Sequence, residues 1–299
     1  MLSQKIDQLL IDLAWSLWTE LGVAGIKRNH HQYLIPPEEL VILTSVLGQT
    51  DPRLRDEALD WCTRHHHFIS VSRLRTLSND LGSIVNEPLS LFSATLNSIS
   101  QAHWPVLIDI EPLKFTPSQK SRPPQMELPA LLALRLRSLF GVGARADLIS
   151  FFLIQEKNDF AISDTTKIGY SKRNLAEVLE GFAQGGILSA FSVRNQWRYQ
   201  IIKRNQILNL IGQLPEFLPD WRHILEVVLS LRATIRQIEK KSESTKLVEI
   251  RNLLSNLETS LRKLNLTPPP LQADFEAYWN AFAEWILRFL ESLARGSSI

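Results

Sequence analysis

Cys62, His65, His66 and His67 are of residue types that hold metal ions. Positions i, i+3 and i+4 of a helix share one face, which would bring Cys62, His65 and His66 together. Three adjacent histidines cannot all converge on one ion, and no Cys pair or acidic cluster lies at a ligand spacing. The stretch is therefore expected to be a polar helix end with no metal. Gly141-Val142-Gly143-Ala144-Arg145-Ala146 superficially fits a glycine-rich dinucleotide turn, but such a turn follows a strand, and residues 131–140 carry a helical pattern. A hinge between helices is expected instead. The sequence offers no nucleophile elbow, phosphate loop or His-Glu-x-x-His arrangement. The residue types thus point away from an enzyme and from a cofactor.

A more specific grouping is Ser171-Lys172-Arg173-Asn174. Ser171 is placed to cap a helix running to about Gln184. The inner face of that helix is Leu175, Val178, Leu179 and Phe182, leaving Lys172, Arg173 and Asn174 outward on the first turn. Ahead of it, residues 163–168 form a short segment closed by Gly169, whose access to positive φ suits a tight turn between helices. A second helix presented by its N-terminal end meets phosphates and base edges in the major groove, and its dipole favours phosphate there. Lys172, Arg194 and Arg198 are the expected phosphate contacts, Arg173 and Asn174 the expected base readers, and Thr165 and Thr166 the expected backbone anchors. Lys167 and Ser171 complete the candidate set. After Gly185-Gly186, residues 187–193 and 197–202 read as two strands, Trp197, Tyr199 and Ile201 alternating with Arg198 and Gln200. Arg194, Asn195 and Gln196 form the tip between them.

From Ile168-Gly169-Tyr170-Ser171-Lys172-Arg173-Asn174-Leu175 through Gly185-Gly186-Ile187 to Trp197-Arg198-Tyr199, the segment resembles the winged helix-turn-helix superfamily, in the style of the MarR-like and ArsR-like bacterial regulators. The resemblance covers about a quarter of the chain. It implies binding of double-stranded DNA by the second helix and the wing, and hence a transcriptional regulator. Some winged helices pair proteins instead, so a protein-interaction scaffold, or an antitoxin-like or defence-associated regulator, is the alternative.

The elements that must position this segment are mostly helical. The expected fold is mainly α: an N-terminal helical domain over residues 1–120, a linker at 121–130, the winged segment at 131–204 with a small β-hairpin, and a C-terminal three-helix bundle over 205–299. Leu9, Leu10, Leu13, Leu17 and Leu21 repeat at helical spacing; Asp51-Pro52 is a cap followed by a first-position proline; Lys120 to Pro124 reads as linker. Near the C-terminus, Phe275, Tyr278, Trp279, Phe282, Trp285 and Phe289 crowd one helix face, which suggests a seam between two copies and so a homodimer.

The charge is uneven. The chain carries 33 basic and 31 acidic side chains, yet residues 131–204 hold 11 basic against 6 acidic. That surplus marks where a polyanion is expected to bind. A second basic face from Arg53, Arg55, Arg64, Arg73 and Arg75 is offset by Asp51, Asp56, Glu57 and Asp60. One cysteine excludes an internal disulfide framework, and neither an export signal nor an apolar run of membrane-spanning length is readable, so a cytoplasmic protein off the membrane is expected.

Overall fold

The computed structural model describes residues 1–25, 33–155, 157 and 159–296. The chain is mainly helical, with one small antiparallel sheet in its middle. The first part comprises α1 (Leu2–Glu20), α2 (Pro37–Leu47), α3 (Pro52–His65), α4 (Val71–Leu81) and α5 (Ser83–Ile99). The middle comprises α6 (Leu132–Phe140), α7 (Ala144–Ile154), β1 (Asp159–Ala161), α8 (Ile162–Thr165), α9 (Lys172–Gln184), β2 (Leu188–Val193), β3 (Gln196–Ile201) and α10 (Arg204–Ile211). The last part comprises α11 (Trp221–Ile238), α12 (Glu243–Asn256), α13 (Glu258–Lys263) and α14 (Phe275–Arg295). Among the described residues no helix is long and apolar enough to cross a membrane.

Local signals set several helix starts. Asp51 accepts from the Leu54 amide at 3.1 Å with Pro52 in the first turn, and Ser70 accepts from the Arg73 amide at 3.3 Å. Asp220 likewise accepts from His223 at the start of α11. Every residue of α2 is buried, which makes it the central helix of the first part. Trp15, Trp18 and Trp61 are fully buried, and each indole N–H has a partner: Asp51, Thr44 and the Leu21 carbonyl.

The segments expected as separate N- and C-terminal units share one core. Buried side chains of α1–α5 and of α11–α14 form a single cluster. The Trp221 indole donates to the Leu34 carbonyl at 2.9 Å, and Arg232 reaches Asp7 at 2.7 Å. Half of the aromatic face of α14 is covered within the chain: Tyr278, Phe282 and Phe289 are buried, α14 packing along α1, while Phe275, Trp279 and Trp285 are half-buried. The stripe on which the homodimer expectation stood is thus partly used inside the chain. Helical periodicity defines which face is apolar but not what covers it.

Residues 101–125, outside regular structure, are strapped across the first part by side-chain hydrogen bonds. Ser90 accepts from the Leu107 and Ile108 amides, Thr95 from Leu113, and Asp60 from Gln119. The expected linker thus continues a segment that is held in place. Of the second basic face, Arg53 and Arg75 are exposed and the other three are engaged. Arg73 is buried, Arg55 pairs with Asp56, and Arg64 donates to the Ser121 carbonyl.

The middle segment has its own core, built around Leu148, Phe151, Phe152, Phe160, Leu175, Leu179 and Tyr199. Its sheet has the order β1-β3-β2, all antiparallel, with Phe160 and Ala190 both opposite Tyr199. The helix expected over residues 144–157 ends at Ile154, and a strand, β1, follows where none is expected. Phe160 explains it. Its ring packs 4.8 Å from Phe151 and 5.4 Å from Phe152, so burying it requires an extended return against β3.

Candidate nucleic-acid interface

Helix α8 is one short turn, followed by a 3-10 turn at Thr166–Ile168 and then Gly169 at φ +83°, ψ +22°. A side chain at Gly169 would bring its Cβ within 3.1 Å of Arg73 Nε, so both the backbone conformation and the space favour glycine. We expect Gly169→Ala to lower unfolding free energy by about 1–2 kcal/mol, the usual penalty of a left-handed non-glycine residue. Urea denaturation checks this, and an unchanged midpoint would refute it. Ser171 Oγ accepts from the Asn174 amide at 3.3 Å and starts α9 as its sequence indicates.

On the first turn of α9, Lys172, Arg173 and Asn174 are all exposed, while Leu175, Leu179 and Phe182 face the core. The Arg173 side chain is 91% exposed and meets Glu177 at 3.1 Å. An exposed i, i+4 pair of this kind is weak and opens readily toward a stronger anionic partner. A surface groove brings Arg145 and Gly143, at the start of α7, beside Asn174 and Glu177 of α9. Arg145, absent from the expected set, is thus a further exposed cation next to Asn174, one of the candidate base readers. Gly141 and Gly143 both have positive φ and link helix α6 to helix α7, with no strand before them. The hinge reading of that glycine pair fits the structure.

The hairpin turns at Arg194 and Asn195, both left-handed at φ +46° and +63°. Asn tolerates that region, whereas Arg does not favour it. Arg194, Asn195 and Gln196 are exposed.

Other expected contacts are turned to structural use. Thr165 is fully buried and donates to the Ile162 carbonyl, so it cannot anchor a phosphate; its methyl and hydroxyl complete the inner side of α8. Thr166 is half-buried and donates to the Ser163 carbonyl at 2.8 Å. The Ser171 hydroxyl is engaged as the cap. Arg198 is only 18% exposed, and its guanidinium binds the Asp159 carboxylate and, at 3.0 Å, the Asp159 carbonyl. The unanticipated strand β1 carries that aspartate alongside β3. The Lys167 side chain lies outside the described residues.

The sequence reading missed a buried ionic cluster behind the turn. Arg137 on α6 engages all five of its N–H donors. It binds Glu38 of α2 at 2.7 and 3.1 Å, Asp147 of α7 at 2.8 and 3.1 Å, and the Phe68 carbonyl at 2.8 Å. Arg73 of α4 joins at 3.0 Å to Glu38 and 2.5 Å to Glu39, and Tyr170 donates to Asp147 at 2.8 Å. Burial works against the Asp147 carboxylate, but Arg137 and Arg73 outweigh it and hold its pKa below the usual value. Burial raises the pKa of Glu39 despite Arg73, and burial followed by the Asp147 charge raises that of Tyr170. The cluster ties α2 and α4 of the first core to the residue immediately before the Ser171 cap. One signal was available in the sequence: Arg137 lies on the same helical stripe as Ala133 and Leu134, a core position for a charge.

No group of three or more metal-ligating side chains occurs among the described residues. His65 is packed against Trp61 and Phe68, and burial, followed by the neighbouring Arg64, lowers its pKa to about 4. No protein-family model matches the chain, and no curated protein or solved structure matches it either.

Proposed function

We propose that this chain is a sequence-specific, winged helix-turn-helix DNA-binding regulator that presents the N-terminal end of α9 to the major groove of double-stranded DNA. The observation that carries the reading is the Ser171-capped first turn, on which Lys172, Arg173 and Asn174 are exposed together. The short α8, the left-handed Gly169 and the following hairpin support it, because they are the parts that such a docking needs. Arg145 and Arg194 add cations from neighbouring elements, while Arg198 is neutralised and contributes none. The role is binding rather than catalysis, and its place is the cytoplasm.

Phosphate contacts release counterions, so affinity for duplex DNA is expected to fall steeply between about 50 and 200 mM salt. A gel-shift series over a random duplex pool measures this. Absence of any shift at the lowest salt would refute the reading.

A second reading rests on the hairpin surface. Trp197 is 59% exposed on one face of the hairpin, and Val193 and Phe191 are exposed on the other. Apolar side chains on a hairpin suit a protein surface, in which case the segment assembles a complex instead of reading DNA. Trp197→Ala separates the two: reduced DNA affinity places the hairpin against the duplex, and unchanged affinity places it against protein.

A further inference from the structure

Between the two cores lies a cavity of about 50 Å³, partly open to solvent. It is bounded by the residues leading into α2, by α6 and α7, by the turn before Gly169 and by the start of α11. Its apolar wall includes Leu34, Ile168, Leu218 and Trp221. Two of its lining side chains carry polar atoms that are buried and lack a partner: the Ser150 hydroxyl and Arg73 Nε. Ser150 is 2% exposed and Arg73 8%. Unpartnered buried donors are uncommon, and each is a hydrogen bond waiting for an acceptor.

The charged side chains lining the cavity already have partners within the chain, Asp220 included, which accepts from the His223 amide and lies 2.8 Å from the His223 imidazole Nδ1. Arg137 has no free N–H, and Asp147 accepts from both Arg137 and Tyr170. Arg73 faces Glu38 and Glu39. A ligand bringing a net charge would meet no uncompensated partner and would lose its hydration. A neutral molecule would not. It needs an oxygen to accept from a free donor, Ser150 Oγ or Arg73 Nε, and a small branched apolar body for the Leu34, Leu218 and Trp221 wall. A cavity of about 150 Å³ holds a six-carbon ring, so this one takes a head group with about two or three carbons, the remainder extending through the open side.

We propose that this cavity is a binding site for a small, neutral, amphipathic molecule bearing an amide or hydroxyl oxygen. Its place gives the site a consequence. Ile168 lies one residue before the left-handed Gly169, so an occupant touches both the α11 side of the seam and the turn that orients α9. Ligand binding itself does not rest on the DNA reading.

Saturation-transfer NMR on the full chain tests it with isobutyramide, isobutyrate and isobutylamine as shape-matched neutral, anionic and cationic probes. Isobutyramide is expected to bind with about millimolar affinity, as its size allows, and the charged probes more weakly. Ser150→Ala is expected to weaken the amide about fivefold, the value of one hydrogen bond. Leu218→Trp, at the half-buried mouth, is expected to block it while leaving Ser150 in place. The proposal is overturned if isobutyramide shows no saturation transfer, the two donors being met by water alone. It is also overturned if isobutyramide binds both variants as well as the native chain, or if the charged probes bind equally.

Discussion

Replacing Arg137 with alanine is expected to lower the unfolding free energy by about 3–5 kcal/mol, the range for removing one partner of a buried ion pair. The expectation follows from what remains behind. Glu38 and Asp147 are both buried, and Arg137 binds both of them in bidentate fashion. Without it, two carboxylates share a site from which water is excluded, with Arg73 as the remaining cation. Arg137→Lys keeps the charge but cannot supply two bidentate contacts, so a smaller loss is expected. Urea unfolding measures both, and a loss below about 1 kcal/mol for the alanine variant would contradict the role given to Arg137.

The same cluster gives stability a pH dependence. Because the native Asp147 pKa lies below the unfolded value of about 3.9, its contribution is complete above that pH and is lost as pH falls through the native pKa. Glu39 has the opposite sign. Its raised native pKa makes its contribution complete below the unfolded carboxylate value and lost as pH rises through the native one.

The second large effect is expected at α9. Changing Arg173 and Asn174 together to alanine should reduce discrimination between preferred and random duplexes by about 1–3 kcal/mol for each base contact removed. Neither side chain is needed to hold the helix: both are exposed, and the Arg173–Glu177 pair is a surface pair of small value. Folding should therefore be unaffected. Adding Lys172→Ala should weaken binding to all sequences alike and lower the salt slope by about 0.9, as for one lost phosphate contact. Competition binding against a selected duplex and random DNA measures these separately. Discrimination left intact while total affinity falls would assign Arg173 and Asn174 to phosphates instead of bases.

The sequence by itself determined the elements whose causes are local. Ser171 as cap, α9 with its inner face of Leu175, Leu179 and Phe182, and the left-handed Gly169 all depend on residues within a few positions of one another. So do Asp51-Pro52 and the two-strand hairpin turning at Arg194 and Asn195. The exposure of Lys172, Arg173 and Asn174 follows from the same short-range periodicity. Only the tertiary structure decided what each face meets. It placed Asp159 beside Arg198 and so withdrew a cation from the candidate surface. It turned Thr165 inward, and it buried Tyr278, Phe282 and Phe289 of the α14 stripe within the chain. It also gathered Glu38, Arg73, Arg137 and Asp147 from four separate helices, and Tyr170 from the turn before α9, Glu38 and Arg137 being 99 positions apart. Periodicity and capping report on backbone geometry and on which side is apolar. Partner choice is set by packing and by charge pairing across the chain, where no local pattern carries the information.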